Sequence, residues 1–297
     1  LVPGAHEGRG LGNQFLDALT DADAILSVVD AAGETNAEGE PVEVGAYDPV
    51  EEADFVEAEL EQWLAGIIAD NWETVVRKSR SPEFDIDDAL TEMLTGFGAT
   101  VYDVAASLRA VAYPEDPQQW ADDDRERLAR DLRERTKPIV VVANKADVAP
   151  DGNVEGLRDG TESPVVAATA DGELALRTAA DAGAVAYNPG DAEFDVVGEV
   201  SGAQREGLET IRDVMAETGG TGVQAAIDTA VYDTLDMITV YPVQNETRWT
   251  DGSGETLPDA VLLPQGSTPT DLAYAVHSDI GDGYLHSVDA PSDRRLG

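Results

Sequence analysis

The chain has 297 residues, of which 60 are Asp or Glu and 19 are Lys or Arg, so its formal net charge is −41 at pH 7. The absence of cysteine excludes a disulfide scaffold and a thiolate metal site, and the three scattered histidines argue against a histidine-rich one. No apolar run is long enough to span a bilayer, so we expect no membrane partner.

The first elements expected along the chain are a short helix over residues 13–20 and a strand over residues 24–30. The strand reads AILSVVD and is followed by a turn that contains Gly33. A short apolar run that ends at a turn is typical of a buried strand in a parallel sheet.

Residues 46–136 form a predicted helical region, long enough for a paired or coiled-coil arm. Apolar residues recur there at a spacing of three to four, which gives each helix one apolar face. The three helices are expected to start at Asp48-Pro49, to run from Ile86 to about Leu108, and to run from Asp116-Pro117 to about Thr136.

Short strands return after this region, at residues 138–143 and 164–168, with a helix expected over 173–180. Alternating strands and helices indicate an α/β sheet. Helices are expected at 211–214 and 223–232, and from residue 235 short strands, turns and one helix indicate a small α+β module.

The tetrapeptide Asn144-Lys145-Ala146-Asp147 directly follows the strand at 138–143. Ligands of α/β folds bind at the carboxyl ends of such strands. The Asp147 carboxylate can accept hydrogen bonds from both the ring N–H and the exocyclic amine of guanine, and adenine offers no such donor pair. The Lys145 stem can lie on a base, and the Asn144 amide can bridge the base edge and the neighbouring loops. The alternative is an ordinary turn with a helix cap at Asp147.

Several segments together resemble the Obg-like P-loop GTPases of the YchF subfamily. The tetrapeptide looks like their N-K-x-D base-recognition motif, and Thr169-Ala170 is similar to their S-A motif, whose backbone N–H contacts the guanine oxygen. Residues 1–13, LVPGAHEGRGLGN, resemble the switch II segment of that family. Residues 241–243, 257–260 and 264–281 look like parts of a TGS domain; they read YPV, LPDA and PQGSTPTDLAYAVHSDIG.

This resemblance implies a partial P-loop GTPase domain, Rossmann-like, with a helical coiled-coil insertion and a C-terminal TGS domain. No G-x-x-x-x-G-K-[ST] phosphate loop occurs in the chain. We therefore expect a fragment that is cut at both ends and is inactive alone. The expected parts are the GTPase domain (1–45 and 137–205), the insertion (46–136), connecting helices (206–234) and a truncated TGS domain (235–297).

The resemblance also implies a function for the full-length protein, namely GTP hydrolysis as a ribosome-associated switch. It would use Mg²⁺, whose ligands are expected in the missing N-terminal part, and none is expected in this chain. The base site is expected at Asn144, Lys145, Asp147, Thr169 and Ala170. Two alternatives stay open: an ATP-preferring relative, and an adaptor for the ribosome or RNA in which nucleotide binding is regulatory or lost.

The catalytic residues remain unknown, and attention falls on Leu1, Gly4 and His6 in the segment that resembles switch II. In Ras-type enzymes a glutamine orients the attacking water at the place that Leu1 occupies by this resemblance. Leucine cannot do so, which implies slow hydrolysis or help from another group. His6 is a candidate, although a plain surface histidine is the simpler interpretation, as it is for His277 and His286.

A basic cluster in the third helix of the 46–136 region stands out from the acidic background. Its members are Arg125, Arg127, Arg130, Arg133 and Arg135. They could contact ribosomal RNA or tRNA, because arginine suits phosphate, or they could form a solvated face paired with acids.

The acids are spread along the whole chain, and there are three lysines against sixteen arginines. At molar salt the Debye length is about 3 Å, so self-repulsion is screened. We therefore expect a cytoplasmic protein from a salt-accumulating, halophilic organism. An ordinary acidic cytosolic protein is the alternative.

Overall fold

The computed structural model describes Leu19, residues 21–257 and residues 259–296. The described residues divide into two compact units, one that extends to Ala230 and one that starts at Val231. No helix among these residues is both long enough and apolar enough to cross a membrane.

A parallel three-stranded sheet organises the first unit. Its strands are β1 (Ile25–Asp30), β2 (Ile139–Asn144) and β3 (Val165–Ala167), in the order β1-β2-β3. Residues 139–143 of the central strand β2 are all buried, as expected of a strand covered on both faces. The register places Asp30 opposite Asn144, so the carboxyl ends of β1 and β2 lie side by side.

The connection from β1 to β2, described throughout, is a helical region. It contains α1 (Pro49–Lys78), α2 (Ile86–Leu94), α3 (Val101–Ala110) and α4 (Asp122–Thr136), with 3-10 turns at Thr95–Phe97 and Pro117–Gln119. The start of α1 agrees with the sequence, since the Asp48 side chain accepts a hydrogen bond from the Val50 N–H and Pro49 is the first helical residue. Buried residues of all four helices form one apolar core, including Leu64, Ile68, Trp72, Leu90, Val104, Leu128 and Leu132.

The single helix expected from Ile86 to about Leu108 is wrong, because the chain breaks there. Gly98 adopts a left-handed backbone with φ 90°, which ends the first segment. Thr100 and Asp103 then cap each other's backbone N–H groups in a capping box that starts α3. The helix expected from Asp116 also starts later: its first residues form the 3-10 turn, and α4 begins at Asp122.

The rest of the first unit surrounds β2 and β3. It consists of four helices, α5 (Asn153–Gly160), α6 (Ala170–Asp181), α7 (Gly202–Thr218) and α8 (Val223–Asp228), and a short antiparallel pair, β4 (Val185–Ala186) with β5 (Asp195–Val196). A π-helical turn at Thr229–Thr234 continues α8 into the second unit. The helix expected at 211–214 is the middle of the longer α7. A second apolar core includes Leu176, Phe194, Leu208 and Met215.

The second unit is a small α+β module. The strands β6 (Met237–Val240) and β7 (Val261–Pro264) pair antiparallel, and β8 (Ser287–Asp289) pairs with β9 (Arg294–Leu296). Between the two pairs lie α9 (Pro269–Val276) and α10 (Ser278–Asp282). The mixed α/β fold with an α+β module at the C-terminal end agrees with the fold class expected from the sequence.

Candidate functional site

Asn144 joins the loops that follow all three parallel strands. Its main-chain oxygen accepts a hydrogen bond from the Ala31 N–H at 2.9 Å, just after β1. Its side-chain Oδ1 accepts one from the Ala170 N–H at 3.0 Å, just after β3. A further backbone bond from the Ala146 N–H to the Ala168 oxygen, 3.0 Å, ties the β2 and β3 loops together. The sequence predicted this bridging role for the Asn144 amide.

Lys145 has a left-handed backbone, with φ 62°, which is uncommon for a residue with a side chain. Its Nζ lies 2.9 Å from Asp30 Oδ2 and 2.9 Å from Glu34 Oε1. Burial opposes protonation of Lys145, but the hydrogen bonds and charges of these two carboxylates outweigh it and raise its pKa. Lys145 is therefore a fixed ammonium group between two acids of the β1 loop.

Asp30 is buried, with 8% of its surface exposed, and it stays ionised because it is well partnered. Burial by itself raises the pKa of a carboxylate, yet hydrogen bonds from Lys145 and Thr35 hold the pKa of Asp30 below its usual value. Nearby, burial raises the pKa of Glu52, whose Oε2 accepts the Asp30 N–H at 2.9 Å. The partners of Asp30 are both near and distant in sequence: Thr35 lies five residues away, and Lys145 lies 115 residues away.

Asp147 lies in the turn after Lys145 and is partly exposed. Within the described part of the chain, no side chain or backbone group makes a hydrogen bond or ion pair with its carboxylate. An acceptor-only group left without a donor at the carboxyl end of a central strand is available to a ligand that carries donors.

Thr169 and Ala170 start α6. The Thr169 side chain caps the helix by accepting the Gly172 N–H at 3.2 Å, and its own N–H donates to the Thr221 oxygen at 2.9 Å. Thr169 is 1% exposed, whereas Ala170 is exposed to solvent. The backbone N–H of Ala170 faces the Asn144 side chain. Thr169 is buried beneath it and holds the start of α6 in place.

A buried polar network lies under this loop. Glu173, on α6, accepts hydrogen bonds from the Tyr187 hydroxyl (2.6 Å), the Thr221 hydroxyl (2.6 Å) and Arg177 Nε (2.5 Å). Burial works against ionisation, but these donors hold the pKa of Glu173 below its usual value. Burial and the Glu173 carboxylate raise the pKa of Tyr187.

The segment that carries Thr221 packs directly against the end of β3. At Gly222, with φ 80°, an added Cβ would lie 1.9 Å from the Ala167 oxygen, so only glycine fits. Sequence reasoning did not identify Asp30, Glu34, Glu173 or Thr221 as parts of the site. The glycines at 219, 220 and 222 were the available signal, since closely spaced glycines mark close backbone approaches.

The structure brings together Asn144, Lys145, Asp147, Thr169 and Ala170. Leu1, Gly4 and His6 lie outside the described residues, so the expectations for them stay predictions. Among the residues that are described, no group of three or more His, Asp or Glu side chains is arranged to hold a metal ion.

Each arginine of the predicted basic cluster on α4 is paired with a carboxylate. Arg125 pairs with Asp122, Arg127 with Asp124 at 3.9 Å, Arg130 with Glu61 at 3.1 Å, and Arg135 with Asp131 at 2.7 Å. The Arg133 side chain is only 6% exposed and contacts Glu61 at 3.1 Å and Glu57 at 3.5 Å on α1. Arg133 thus joins two helices, and the expectation that it contacts RNA is wrong because its guanidinium is buried.

Comparison with known proteins gives two matches within the chain. Residues 142–245 match the family described as Obg-like GTPase YGR210-like, G4 motif-containing domain, and residues 254–290 match the TGS domain. The first match contains the loop from Asn144 to Asp147 and the loop at Thr169.

Three similar proteins span different shares of the chain. An uncharacterized GTP-binding protein of Methanocaldococcus jannaschii is 42% identical over 300 residues, which cover 100% of this chain and 75% of that protein. The crystal structure of a GTP binding protein from Pyrococcus horikoshii has a TM-score of 0.76 at 36% identity, covering 95% of this chain and 76% of that one. The ribosome-binding ATPase YchF of Bacillus subtilis is 29% identical over 192 residues, which cover 59% of this chain and 47% of that protein.

Proposed function

Because the chain belongs to the Obg-like, YchF-type family of GTP-binding proteins, we propose that it binds a guanine nucleotide through the loops that follow β2 and β3. The base-contacting residues would be Asn144, Lys145, Asp147 and Ala170, with Thr169 supporting the loop. The observation that carries this proposal is the Asp147 carboxylate. It lies just after the central strand, where ligands of α/β folds bind, and it has no hydrogen-bond donor among the described residues.

The chemistry of Asp147 favours guanine over adenine. A carboxylate only accepts hydrogen bonds, and guanine offers the ring N1–H and the exocyclic amine side by side. Adenine would leave the carboxylate without its donors once the site closes around the base, and an unsatisfied buried charge costs at least about 1–3 kcal/mol.

Ala170 supplies the complementary donor. Ala170 is exposed, and its N–H donates to Asn144 Oδ1 at 3.0 Å, at the end of β2. The guanine O6 oxygen would share this N–H with Asn144 Oδ1 in a three-centre hydrogen bond, an arrangement common at helix ends, so the link between the two loops is kept. Acceptor pairing at Asp147 and donor pairing at Ala170 would together read the guanine edge.

Hydrolysis of GTP is proposed for the full-length protein rather than for these residues. The described residues offer base recognition, and they contain neither a glycine-rich phosphate loop nor a cluster of metal ligands. His6 is proposed as a group that could assist water attack, and turnover unchanged by His6→Ala in the full-length protein would remove that role.

A role at the ribosome is supported by one relative, whose name describes it as ribosome-binding. The protein would act in the cytoplasm. The exposed arginines of α4 are the proposed RNA contacts: Arg127, Arg130 and Arg135 have side chains that are 46%, 62% and 37% exposed. Reversing these three charges should abolish co-sedimentation with ribosomes, whereas reversal of Arg80, Arg158 and Arg205 should not.

The competing function is ATP hydrolysis, since the Bacillus subtilis relative is named an ATPase. Titration of the full-length protein with GTP and ATP decides between them. We expect tighter GTP binding, and tighter ATP binding would overturn the proposal.

The variant Asp147→Asn tests the assigned carboxylate. It should weaken GTP binding about tenfold or more and improve binding of xanthosine triphosphate, whose base has an oxygen where guanine has the amine. Asp151→Asn is the matched control, because Asp151 is exposed a few residues further along the same connection. An Asp147→Asn protein with unchanged preference would show that the base lies elsewhere.

A further inference from the structure

The Lys145 ammonium is held by two carboxylates, one at the end of β1 (Asp30) and one in the turn that follows it (Glu34). Asp30 is buried and Glu34 is 39% exposed at its side chain, and each lies 2.9 Å from Nζ. The parallel pairing of β1 with β2 brings Asp30 beside Asn144, so the next residue, Lys145, reaches the β1 loop. These two acids come from a different strand from the base-recognition tetrapeptide and belong to no motif identified in the sequence.

The turn that carries Glu34 is held in one conformation by a close backbone contact and by hydrogen bonds. Gly33 has φ 60°, and an added Cβ would lie 2.2 Å from the Tyr47 oxygen, so a side chain is excluded there. Asp30 Oδ1 accepts the Ala32 N–H at 3.0 Å, and the Gly33 oxygen accepts the Tyr47 N–H at 3.1 Å. Glu34 therefore reaches Lys145 from a turn fixed by its own hydrogen bonds.

The left-handed backbone of Lys145, with φ 62°, indicates that its contact with Asp30 and Glu34 is more than a surface ion pair. A left-handed conformation is costly for a non-glycine residue and persists where the surroundings impose it. Such strain is concentrated at binding and catalytic sites. A lysine also has much rotamer freedom to lose, so anchoring its amine in advance lowers the entropy cost of using its stem in binding.

We propose that Asp30 and Glu34 are positioning residues for base recognition: they fix the Lys145 ammonium so that its aliphatic stem is preorganised against the nucleotide base. This inference rests on the proposed guanine site and adds the two residues that would tune its affinity. They act through Lys145, and the hydrogen bonds of Asp147 to the base edge are independent of them.

Glu34 is the residue to test, because its exposed side chain lets a Glu34→Gln variant fold. The control is Glu38→Gln in the same loop, since the Glu38 carboxylate makes no hydrogen bond or ion pair with any described residue. Lys145→Met removes the charge and keeps an unbranched apolar stem. Melting temperatures of all variants should be measured beside binding.

The experiment is a double-mutant cycle on the full-length protein, with GTP and inosine triphosphate as the titrated ligands. Inosine lacks the exocyclic amine, so the ratio of the two affinities reports on Asp147 alone. Glu34→Gln should weaken the binding of both ligands by about threefold to tenfold and leave the ratio of the two affinities unchanged. In the Lys145→Met background the same substitution should change affinity by less than about 1.5-fold, because the coupled partner is gone.

Each outcome separates the inference from the function on which it rests. If the wild-type protein binds neither ligand, the guanine-site proposal itself is overturned. If it binds GTP but Glu34→Gln has no effect, or has the same effect with and without Lys145, the positioning role is overturned and the guanine site stands. A changed ratio of the two affinities would also overturn it, because the base edge would then be disturbed.

Discussion

The N–H of Ala170 donates to the side-chain oxygen of Asn144 over 3.0 Å and joins the loop after β3 to the loop after β2. The same Asn144 accepts the Ala31 N–H through its main chain, so three loops meet at one residue. The free protein thus already holds the two base-recognition loops at a fixed separation.

Asn144→Ala should weaken GTP binding of the full-length protein about tenfold, because the two loops lose their shared hydrogen bond and must be ordered by the ligand. Isothermal titration measures the affinity. Asn71→Ala serves as the control, since the Asn71 side chain contacts only the Ile67 oxygen on the exposed face of α1. Equal affinities of the two variants would contradict a bridging role.

Gly222→Ala should destabilise the first unit by more than about 2 kcal/mol, since the new methyl group meets the Ala167 oxygen and the backbone is left-handed. Gly219→Ala has a similar φ of 77° but no atom within 4 Å of the added Cβ, so its cost should be about 1 kcal/mol. Denaturant unfolding of both variants gives the two losses of stability, and their difference is the part caused by the steric contact with Ala167. If the two costs are equal, the close approach at Ala167 is not what requires glycine.

Glu173→Gln should reduce stability by about 1–3 kcal/mol at neutral pH, because the charge-assisted hydrogen bonds to the buried carboxylate weaken. The folded-state pKa of Glu173 is lowered, so the stabilisation is present above the unfolded-state pKa near 4.5 and is lost as pH falls through the folded-state value. The stability difference between wild type and variant should therefore shrink below about pH 4.5. Because the other acids titrate in both proteins, a difference that stays constant down to pH 3 would contradict this assignment.

Arg133→Met should destabilise the helical region by about 3 kcal/mol, since Glu57 loses its guanidinium partner and Glu61 keeps only Arg130. Arg127→Met is matched in chemistry, but Arg127 is exposed and its pair with Asp124 is 3.9 Å long, so the change should stay within about 0.5 kcal/mol. Thermal unfolding of the two variants compares them directly, and similar melting temperatures would rule out a structural role for the buried ion pairs.

The melting temperature of the wild-type protein should rise between 0.1 and 2 M KCl. With a net charge of −41 the folded state repels itself, and at molar salt the Debye length falls to about 3 Å. A melting temperature that is flat or falling over this range would refute the proposed adaptation to high salt.

The local parts of the fold could be predicted from sequence because their causes are local. Asp48 and Pro49 start α1 through a cap and a fixed φ, and β2 is recognisable as an unbroken apolar run. The break at Gly98 was missed because apolar spacing continues across it, whereas the capping box of Thr100 and Asp103 ends that continuity in the structure.

The site divides in the same way. Asn144, Lys145 and Asp147 were found because they are contiguous and follow a strand. Asp30 and Glu34 lie 115 and 111 residues before Lys145, and their role depends on which strands pair, in which register. Thr221 reaches Glu173 across 48 residues; the glycines beside Thr221 indicate a close backbone approach, but they do not indicate that Glu173 is the partner.

The pairing of β1 with β2 also has a consequence for how the protein folds. The contact between Asp30 and Lys145 closes a loop of 115 residues, most of it helical, whereas the helices of residues 49–136 contact mainly each other. Distant contacts bear a larger entropy cost of chain closure and form more slowly than local ones. On a ribosome, the loops that follow β2 and β3 can therefore take their places beside β1 only after the helical region between β1 and β2 has been synthesised.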